Sequence, residues 1–355
     1  MFDPRNHTAG PAELAGRVIA ITGAGSGLGR AVALACARHQ ASVIVVGRNA
    51  PALEAVHAEI AAAGQPEASI ALLDLEKAVA RDYEALAHAV LERYGRLDGL
   101  LHNAGLLGTL TPIDHYDVPT WCRVLHVNLT AAFVLTQVLL PALKKSADAS
   151  LVFTASSVGR RGRAYWGAYA VSKFAVEGLA QVLAAELENV SHVRVNTLNP
   201  GRARTAMRRQ AYPAEDLESL PPPDSLTGPY IALLGPASRG VTGQAFDAQR
   251  PLALEELPHL PAARAAHRER VPAIGGLPAA GLAALDRELR PAVEGSAADA
   301  LQLRRAELPS HPHAEFARER VNRALQMQRQ LAVRGHELEA PIRTRHRTHR
   351  DEAPT

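Results

Sequence analysis

Short runs rich in β-branched residues alternate with longer runs rich in Ala and Leu as far as about Arg250. Most of the short runs are almost continuously apolar, a pattern typical of strands that helices bury on both faces. This rhythm predicts an α/β fold with a doubly wound, mostly parallel sheet of about seven strands. The predicted strands are Val18–Thr22, Val43–Val46, Ser69–Leu73, Leu97–His102, Ser150–Thr154, Val193–Leu198 and Gln244–Phe246. The predicted helices are Leu28–His39, Ala52–Ala63, Ala78–Tyr94, Trp121–Leu143 and Ala168–Leu187.

The composition changes near Arg250, and we predict a domain boundary there. All four lysines precede it, whereas residues 251–355 contain sixteen Arg, fourteen acidic residues, seven His and ten Pro. We divide the chain into a globular α/β domain at 1–250 and an Arg/Ala/Pro/His-rich C-terminal extension at 251–355, partly helical or disordered. An out-of-frame product of a GC-rich reading frame would have the same composition. The basic tip at 343–350 is interpreted as a solvated end.

Charge and cysteine content exclude several classes of protein. Lys and Arg number 39 and Asp and Glu 36, and a net charge of +3 is too small to indicate nucleic-acid binding. The two cysteines cannot form a disulfide framework or a cysteine-rich metal site, which fits a reducing compartment. The longest apolar stretch, 131–143, is interpreted as too short to span a bilayer. We therefore expect a cytoplasmic protein without a secretory signal, a membrane span or a bound metal.

A glycine-rich segment joins the first predicted strand to the first predicted helix. Glycines at such a turn let the backbone approach a pyrophosphate, and the helix N-terminus supplies unpaired N–H groups. A glycine pattern alone is weak evidence, but here the strand and the helix that it requires are both present. We predict a dinucleotide-binding turn of Rossmann type formed by Gly23, Gly25, Ser26, Gly27, Leu28 and Gly29.

The spacing Gly23-x3-Gly27-x-Gly29 resembles that of the classical short-chain dehydrogenases/reductases. Further motifs resemble that family in the same order and cover about residues 15–248, and the stretches 101–108 and 152–174 are similar to the YciK-type bacterial oxidoreductases. The resemblance implies that 1–250 is an NADP-binding short-chain dehydrogenase/reductase domain. The residues that it implies for cofactor binding, besides the glycine turn, are Asp74, Leu75, Asn103, Ala104, Gly105, Pro200, Gly201 and Thr205.

The end of the second strand bears on which nicotinamide cofactor binds. An acidic residue there would bind the ribose 2′-hydroxyl and repel a 2′-phosphate, but this sequence has Gly47 followed by Arg48. The arginine fork suits a phosphate, and we therefore predict NADP(H) as the cofactor. NAD(H) stays open, because Arg48 can also be a solvated surface residue and Ser26 stands where NADP-type members often have a second basic residue.

The segment 169–173 contains a Tyr-x3-Lys pair, whose two side chains share one face of a helix. An ammonium near a phenol favours the phenolate, so we expect Lys173 to lower the pKa of Tyr169. Ser156 stands at the end of the fifth strand, and Asn128 lies within a predicted helix. By resemblance these four residues match the family's catalytic tetrad. The resemblance implies that Tyr169 is the general acid/base and that Lys173 also holds the ribose. It further implies that Ser156 orients the substrate carbonyl and that Asn128 opens its helix and holds a water.

Two clusters of arginines follow the predicted strands that end near the nicotinamide. They suggest an anionic carbonyl substrate, with solvated surface or subunit contacts as the alternative. We interpret 207–225 as a mobile flap over the site, with Tyr165 and Trp166 as aromatic walls or packing residues. The seventh strand lacks two glycines that many family members have after Asp247. The arginines are Arg160, Arg161, Arg163, Arg202, Arg204, Arg208 and Arg209.

The sequence therefore predicts an NADP(H)-dependent oxidoreductase that interconverts a carbonyl and a secondary alcohol. One alternative is a non-catalytic dinucleotide-binding regulator that uses its tail to bind a partner, and another is an epimerase or dehydratase that oxidises its substrate transiently. The resemblance implies a homodimer or homotetramer, since that family pairs the two long helices predicted at 121–143 and 168–187. We do not expect nucleic acid or a membrane as a partner.

Overall fold

The structure of the protein is a computed structural model, which describes residues 2–250. The predictions for 251–355, including its helical stretches, lie outside the described residues. Residues 2–250 form a seven-stranded sheet in the order β3-β2-β1-β4-β5-β6-β7, and each of the six pairings is parallel. The predicted doubly wound parallel sheet is confirmed. The strands are β1 Val18–Thr22, β2 Ser42–Gly47, β3 Ser69–Leu72, β4 Gly99–His102, β5 Ala149–Thr154, β6 Val193–Asn199 and β7 Ala245–Asp247.

Helices cover both faces of the sheet, as the apolar strands require. Along β1, Ile19 and Ile21 pack in one core and Val18 and Ala20 in the other, because successive side chains point to opposite faces. Helices α1, α2 and α8 contribute to the first core, and α3, α5 and α6 to the second. The helices are α1 Gly27–Arg38, α2 Ala50–Ala62, α3 Ala80–Tyr94, α4 Val118–Leu125, α5 Ala131–Lys144, α6 Gly167–Leu187, α7 Ala206–Ala211 and α8 Gly228–Leu234.

The helix predicted at 121–143 differs from the prediction in two ways. It begins three residues earlier, at Val118, because the Asp117 side chain caps it by accepting a hydrogen bond from the Thr120 N–H at 2.7 Å. A π-helical turn, His126–Thr130, interrupts it between α4 and α5. The continuous helical stretch Val118–Lys144 is 27 residues, long and apolar enough to cross a membrane by length and composition. The predicted apolar stretch, 131–143, forms the second half of this helix. Half of its most apolar window is buried against the rest of the protein, which explains its apolar character.

The carboxyl ends of the seven parallel strands lie at one edge of the sheet, and the loops there carry the glycine turn and the other motifs. From β1 the chain adds β2 and β3 on one side of the sheet, then returns to the centre and adds β4 to β7 on the other side. The direction of winding therefore changes between β1 and β4. Open α/β sheets bind ligands at such a switch point.

Candidate active site

The glycine turn between β1 and α1 adopts backbone conformations that only glycine accepts easily. Gly23 and Gly27 have φ of +69° and +52°, in the left-handed region. At Gly29, a Cβ would overlap the carbonyl oxygen of Gly23 and approach Asn103 Nδ2 within 2.5 Å. The absence of side chains therefore lets α1 start directly against the turn, with its first N–H groups open toward the edge of the sheet.

The turn after β4 is bound to the end of β1. The Thr22 hydroxyl oxygen accepts hydrogen bonds from the N–H groups of Asn103 at 3.0 Å and Ala104 at 3.1 Å. The Asn103 amide donates to the Thr22 carbonyl oxygen at 3.3 Å. These bonds hold the 103–105 turn against Gly23 and form the floor of the switch point.

Two cavities open on this edge, and they share Gly23, Ser26, Ala104 and Gly105 as lining residues. The first, about 320 Å³, lies beside the ends of β2 and β3, and we call it the adenosine end. The second, about 290 Å³, lies beside β5, β6 and α6, and we call it the nicotinamide end. The predicted cofactor residues at the first include Gly25, Arg48, Asp74 and Leu75. Those at the second include Gly27, Leu28, Asn103, Tyr169, Lys173, Pro200, Gly201 and Thr205.

Of the predicted cofactor residues, only Gly29 lines neither cavity, because it packs beneath the turn. The bare backbone of the glycine turn, the open start of α1 and the two adjoining cavities fit a dinucleotide. A pyrophosphate would meet the turn, with one nucleoside on each side.

Tyr169, Lys173 and Ser156 lie together at the nicotinamide end. The first two are one turn apart near the start of α6, and both are buried. Lys173 Nζ donates to the Thr154 carbonyl oxygen at 2.6 Å and lies 5.7 Å from the centre of the Tyr169 ring. The Ser156 side chain lies close enough to the phenol to act on its pKa. A carbonyl oxygen that entered this cavity would therefore have two hydroxyl groups available as donors.

The pKa of Tyr169 moves in the direction opposite to the prediction. Burial raises it above its usual value, and the hydrogen bond from Ser156 offsets this only in part. In this structure Lys173 Nζ donates to the Thr154 carbonyl oxygen rather than to the phenol. Burial also lowers the pKa of Lys173 to about 8, against the opposing charge of Glu177. At neutral pH the phenol is protonated, which is the form that donates a proton.

Asn128 lies in the π-helical turn and joins the loop after β4 to α6. Its amide oxygen accepts from the Leu106 N–H at 2.7 Å, and its Nδ2 donates to the Leu106 carbonyl oxygen at 2.9 Å and to Ser172 Oγ at 3.0 Å. Ser172 in turn donates to the Tyr169 carbonyl oxygen at 2.7 Å. The asparagine therefore stands behind the cavity wall, next to the turn of α6 that carries the tyrosine and the lysine. Its role in holding a water stays a prediction.

His102 belongs to the same region, although the sequence analysis did not single it out as a functional residue. It is buried at the end of β4, stacked on Phe153 with ring centres 4.8 Å apart, and its Nε2 is 2.8 Å from Thr136 Oγ1. Burial, together with the charge of Lys173, lowers its pKa to about 3. The imidazole is therefore neutral at physiological pH and adds no charge beneath the lysine.

An arginine–glutamate cluster lies at the adenosine end. Arg48 Nη1 is 3.2 Å from Glu76 Oε2, and Arg123, from α4, donates to the same carboxylate from Nε at 2.8 Å and from Nη2 at 3.0 Å. The Asp74 side chain fixes this turn by accepting from the Glu76 N–H at 3.1 Å. The sequence gives no signal that Arg123 belongs to this cluster, because Arg123 is 47 residues from Glu76 along the chain.

Comparison with known proteins identifies the family. The family model for short chain dehydrogenases matches residues 17–216. The chain belongs to the short chain dehydrogenase family. It is 48% identical over 233 residues to the uncharacterized oxidoreductase YciK of Escherichia coli (strain K12), a match that covers 66% of this chain and 92% of YciK. The predicted resemblance to this family and to YciK-type oxidoreductases is confirmed.

Two solved short chain dehydrogenases hold nicotinamide cofactors. One, from Shigella flexneri 2a str. 301 in complex with NADP, is 47% identical with a TM-score of 0.65, covering 68% of this chain and 100% of that one. The other, from Escherichia coli CFT073 in complex with NADPH, is 49% identical with a TM-score of 0.65, covering 68% of this chain and 99% of that one.

Six of the seven predicted substrate arginines of this short chain dehydrogenase do not line the nicotinamide end. Arg160 donates to Glu177 at 2.8 Å and to Asp247 at 3.0 Å, and so joins α6 to the end of β7. Arg204 pairs with Glu218. Of the seven arginines, Arg208 is the one that lines the nicotinamide end.

The predicted flap contains defined structure in this dehydrogenase. Helix α7 begins at its N-terminal side, where the Thr205 side chain accepts from the Arg208 N–H at 3.2 Å, and short 3-10 turns follow at 217–219 and 223–226. Trp166 lines the cavity and lies 5.9 Å from the ring of Tyr212, which the flap supplies. Tyr165 is 61% exposed and does not line the cavity. Of the two predicted aromatic residues, Trp166 therefore lines the cavity, and Tyr212 lies next to it.

Gln249 occupies the position where the sequence analysis noted the loss of glycines. Its Nε2 donates to the Pro200 carbonyl oxygen at 2.8 Å and to the Arg202 carbonyl oxygen at 2.6 Å. The side chain thus binds the turn after β6 that borders the nicotinamide end. The residue after β7 therefore supports the site instead of ending the sheet in a glycine turn.

Proposed function

We propose that this short chain dehydrogenase is an NADP(H)-dependent oxidoreductase that interconverts a carbonyl and a secondary alcohol, with Tyr169 as general acid/base. The observation that carries the proposal is the position of Ser156 and Tyr169 on the wall of one cavity that Lys173 also lines. Two donors at one point can orient a carbonyl oxygen and stabilise the negative charge that develops on it.

The residues of the cleft have distinct roles in this proposal. The glycine turn and the start of α1 hold the pyrophosphate, Asp74 faces the adenine, and Thr205 meets the nicotinamide carboxamide. When bound, the nicotinamide supplies or accepts a hydride. In reduction, Ser156 holds the carbonyl and Tyr169 gives its proton to the oxygen. Lys173, which keeps most of its charge below about pH 8, holds the ribose and favours the phenolate left behind.

Two observations support NADP(H) over NAD(H). Gly47 and Arg48 line the adenosine end where an acidic residue would repel a 2′-phosphate. Relatives that are 47% and 49% identical are solved with NADP and NADPH. In the proposal, Arg48 leaves part of its contact with Glu76 and binds the 2′-phosphate.

We also propose that the enzyme pairs through α5 and α6. Apolar side chains on these helices are exposed in the single chain, namely Phe133, Val171, Phe174 and Val182, each between 43% and 56% exposed. On α6 they follow a helical spacing alongside Gly178, where a Cβ would meet no neighbour. A second copy of the chain would cover this stripe, and sedimentation would measure the resulting mass.

The decisive experiment is Tyr169→Phe, with NADPH oxidation measured against a panel of aldehydes and ketones. Loss of general acid catalysis should lower kcat by about 10²- to 10⁴-fold while NADPH binding, followed by nicotinamide fluorescence, changes little. Tyr165→Phe is the matched control, since that exposed tyrosine is close in sequence and lines neither cavity. Undiminished turnover by Tyr169→Phe would overturn the mechanism. NADPH binding by the wild type without turnover of any carbonyl would favour a regulator instead.

A further inference from the structure

Arg208 differs from the other arginines near the site in how it is held. The guanidinium donates from Nε and Nη2 to the two carboxylate oxygens of Glu215, with Nη2 at 2.6 Å from Oε1. Its face lies 3.8 Å from the centre of the Tyr212 ring. The side chains of the arginine and the glutamate are only 19% and 21% exposed. One edge and one face are thus fixed, which leaves the Nη1 end of the fork without a partner among residues 2–250.

The surroundings of this arginine are positive on balance. Arg202 is close enough to Glu215 to help lower the pKa of that carboxyl, although the hydrogen bonds from Arg208 are the main cause. Arg163 lies 5.8 Å from the centre of the Tyr212 ring and donates to its hydroxyl at 2.7 Å. Two guanidinium groups therefore act on the Glu215 carboxylate, and a third lies against Tyr212, so Glu215 does not balance all three charges.

Part of the cavity wall is apolar. Leu107, Trp166, Met207 and Ala211 line the same cavity and pack around Tyr169. A ligand that places its reactive carbonyl at Ser156 and Tyr169, next to Lys173, can lay an apolar body against these side chains and meet the guanidinium of Arg208 on the same cavity wall. A partly buried cation beside apolar side chains favours a ligand that carries an anionic group.

We propose that the substrate is a carbonyl compound with a single oxyanion, and that Arg208 binds this group through the free end of its guanidinium. Glu215 and Tyr212 are positioning residues that hold the fork toward the cavity. The inference rests on the proposed carbonyl reduction and assigns its substrate class. Carboxylate and phosphate share the chemistry that an arginine fork recognises, and the experiment separates them.

The test compares matched charged and neutral substrates. Pyruvate, acetoacetate and laevulinate are each assayed against their methyl esters, and dihydroxyacetone phosphate against dihydroxyacetone, with NADPH in excess. Since a charged hydrogen bond contributes about 1.5–3 kcal/mol, Arg208→Leu should lower kcat/KM for the preferred anion about 10- to 100-fold. The same variant should leave the neutral partner within about 2-fold. Whichever anion family shows the loss identifies the group that Arg208 binds.

Arg204→Leu is the matched control, because Arg204 lies on the same segment in an ion pair with Glu218 and does not line the cavity. Arg204→Leu should leave kcat/KM unchanged for both the charged and the neutral substrate of each pair. Arg208→Lys keeps the charge but loses the fork, and it should recover part of the preference for the anion. If Arg208 only holds the flap, Arg208→Leu would lower kcat/KM for the charged and the neutral substrate by the same factor, and the ratio of the two kcat/KM values would not change.

The outcomes separate this inference from the proposed function. Equal kcat/KM for anion and ester in the wild type, or equal losses in Arg208→Leu, would overturn the assignment of Arg208 while carbonyl reduction stands. Failure of the wild type to reduce any of the probes or a broader panel of carbonyls, with NADPH bound, would overturn both. NADPH binding and the melting temperature of Arg208→Leu establish that the variant is folded.

Discussion

Each end of the cleft has an arginine paired with a glutamate, but the geometry of the two pairs differs. At the adenosine end Arg48 and Arg123 share the single carboxylate of Glu76, and the Arg48 side chain is 55% exposed. At the nicotinamide end Arg208 donates to both carboxylate oxygens of Glu215 on one edge and lies against Tyr212 on one face, and its side chain is 19% exposed. The first arrangement leaves excess positive charge open to solvent, and the second fixes the orientation of one guanidinium.

The difference teaches which kind of ligand each end suits. A shared carboxylate is easily exchanged for a phosphate group of higher charge that arrives from solvent, because surface ion pairs contribute only about 0–1 kcal/mol. An arginine whose edge and face are already in contact loses less side-chain conformational entropy when it binds a ligand. It therefore selects ligands by their geometry as well as by their charge. The predictions below test this contrast.

Replacing Arg48 should have the largest effect. Arg48→Ala removes a charged contact to a 2′-phosphate, so the Kd for NADPH should rise about 10-fold or more while that for NADH changes less than about 2-fold. Nicotinamide fluorescence titration measures both. Arg30→Ala is the control, since Arg30 pairs with Glu59 and lines neither cavity. An equal rise in the Kd values for NADPH and NADH would show that Arg48 does not bind the 2′-phosphate.

Gln249 tests how far the nicotinamide end depends on a fixed backbone. Gln249→Ala removes the hydrogen bonds to the carbonyl oxygens of Pro200 and Arg202, at about 1 kcal/mol each. We expect kcat to fall about 3- to 10-fold with little change in NADPH affinity, as steady-state kinetics and titration would show. Gln244→Ala, an exposed glutamine at the start of β7, should be neutral. A loss confined to NADPH binding would contradict this role.

The smallest effect is expected at Glu76. Glu76→Gln removes the carboxylate that competes for Arg48, so NADPH affinity should rise about 2- to 5-fold. A hydrogen bond from Arg123 holds the pKa of the Glu76 carboxyl below its usual value, so this carboxyl is ionised at neutral pH. The increase in NADPH affinity should therefore be the same from about pH 6 to pH 8. Glu59→Gln, which removes a carboxylate paired with Arg30 at the surface, is the control. Weaker binding by Glu76→Gln would show that the carboxylate supports the arginines instead of competing.

The strands and the chemical motifs were predictable because their signals are local. The buried runs of β1 and β5 are unbroken in the sequence, and parallel strands bring the motifs that follow them to one edge. The Tyr-x3-Lys pair needs only the period of a helix to bring its side chains together. These features therefore follow from spacing alone.

The pairings that distinguish the two ends were not predictable in this way. Arg123 meets Glu76 through the packing of α4, and nothing near either residue indicates the other. The pKa of Tyr169 depends on its burial and on where Lys173 Nζ points, which tertiary contacts decide. Helix α8 was also missed, because its run of seven residues is buried on every side and has no polar face to mark it.

The π-helical turn at 126–130 also affects how the helices pack. Upstream of it, α4 packs on α6, and downstream α5 packs on α3, so the turn lies where one continuous helix changes its neighbour. A π turn inserts one residue, which rotates everything beyond it by about 100° relative to a regular helix. The same insertion that presents Asn128 to the loop after β4 thus sets which face of α5 enters the core. Over evolution, a single-residue deletion here would alter the packing and the site in one event, whereas substitutions could change them separately.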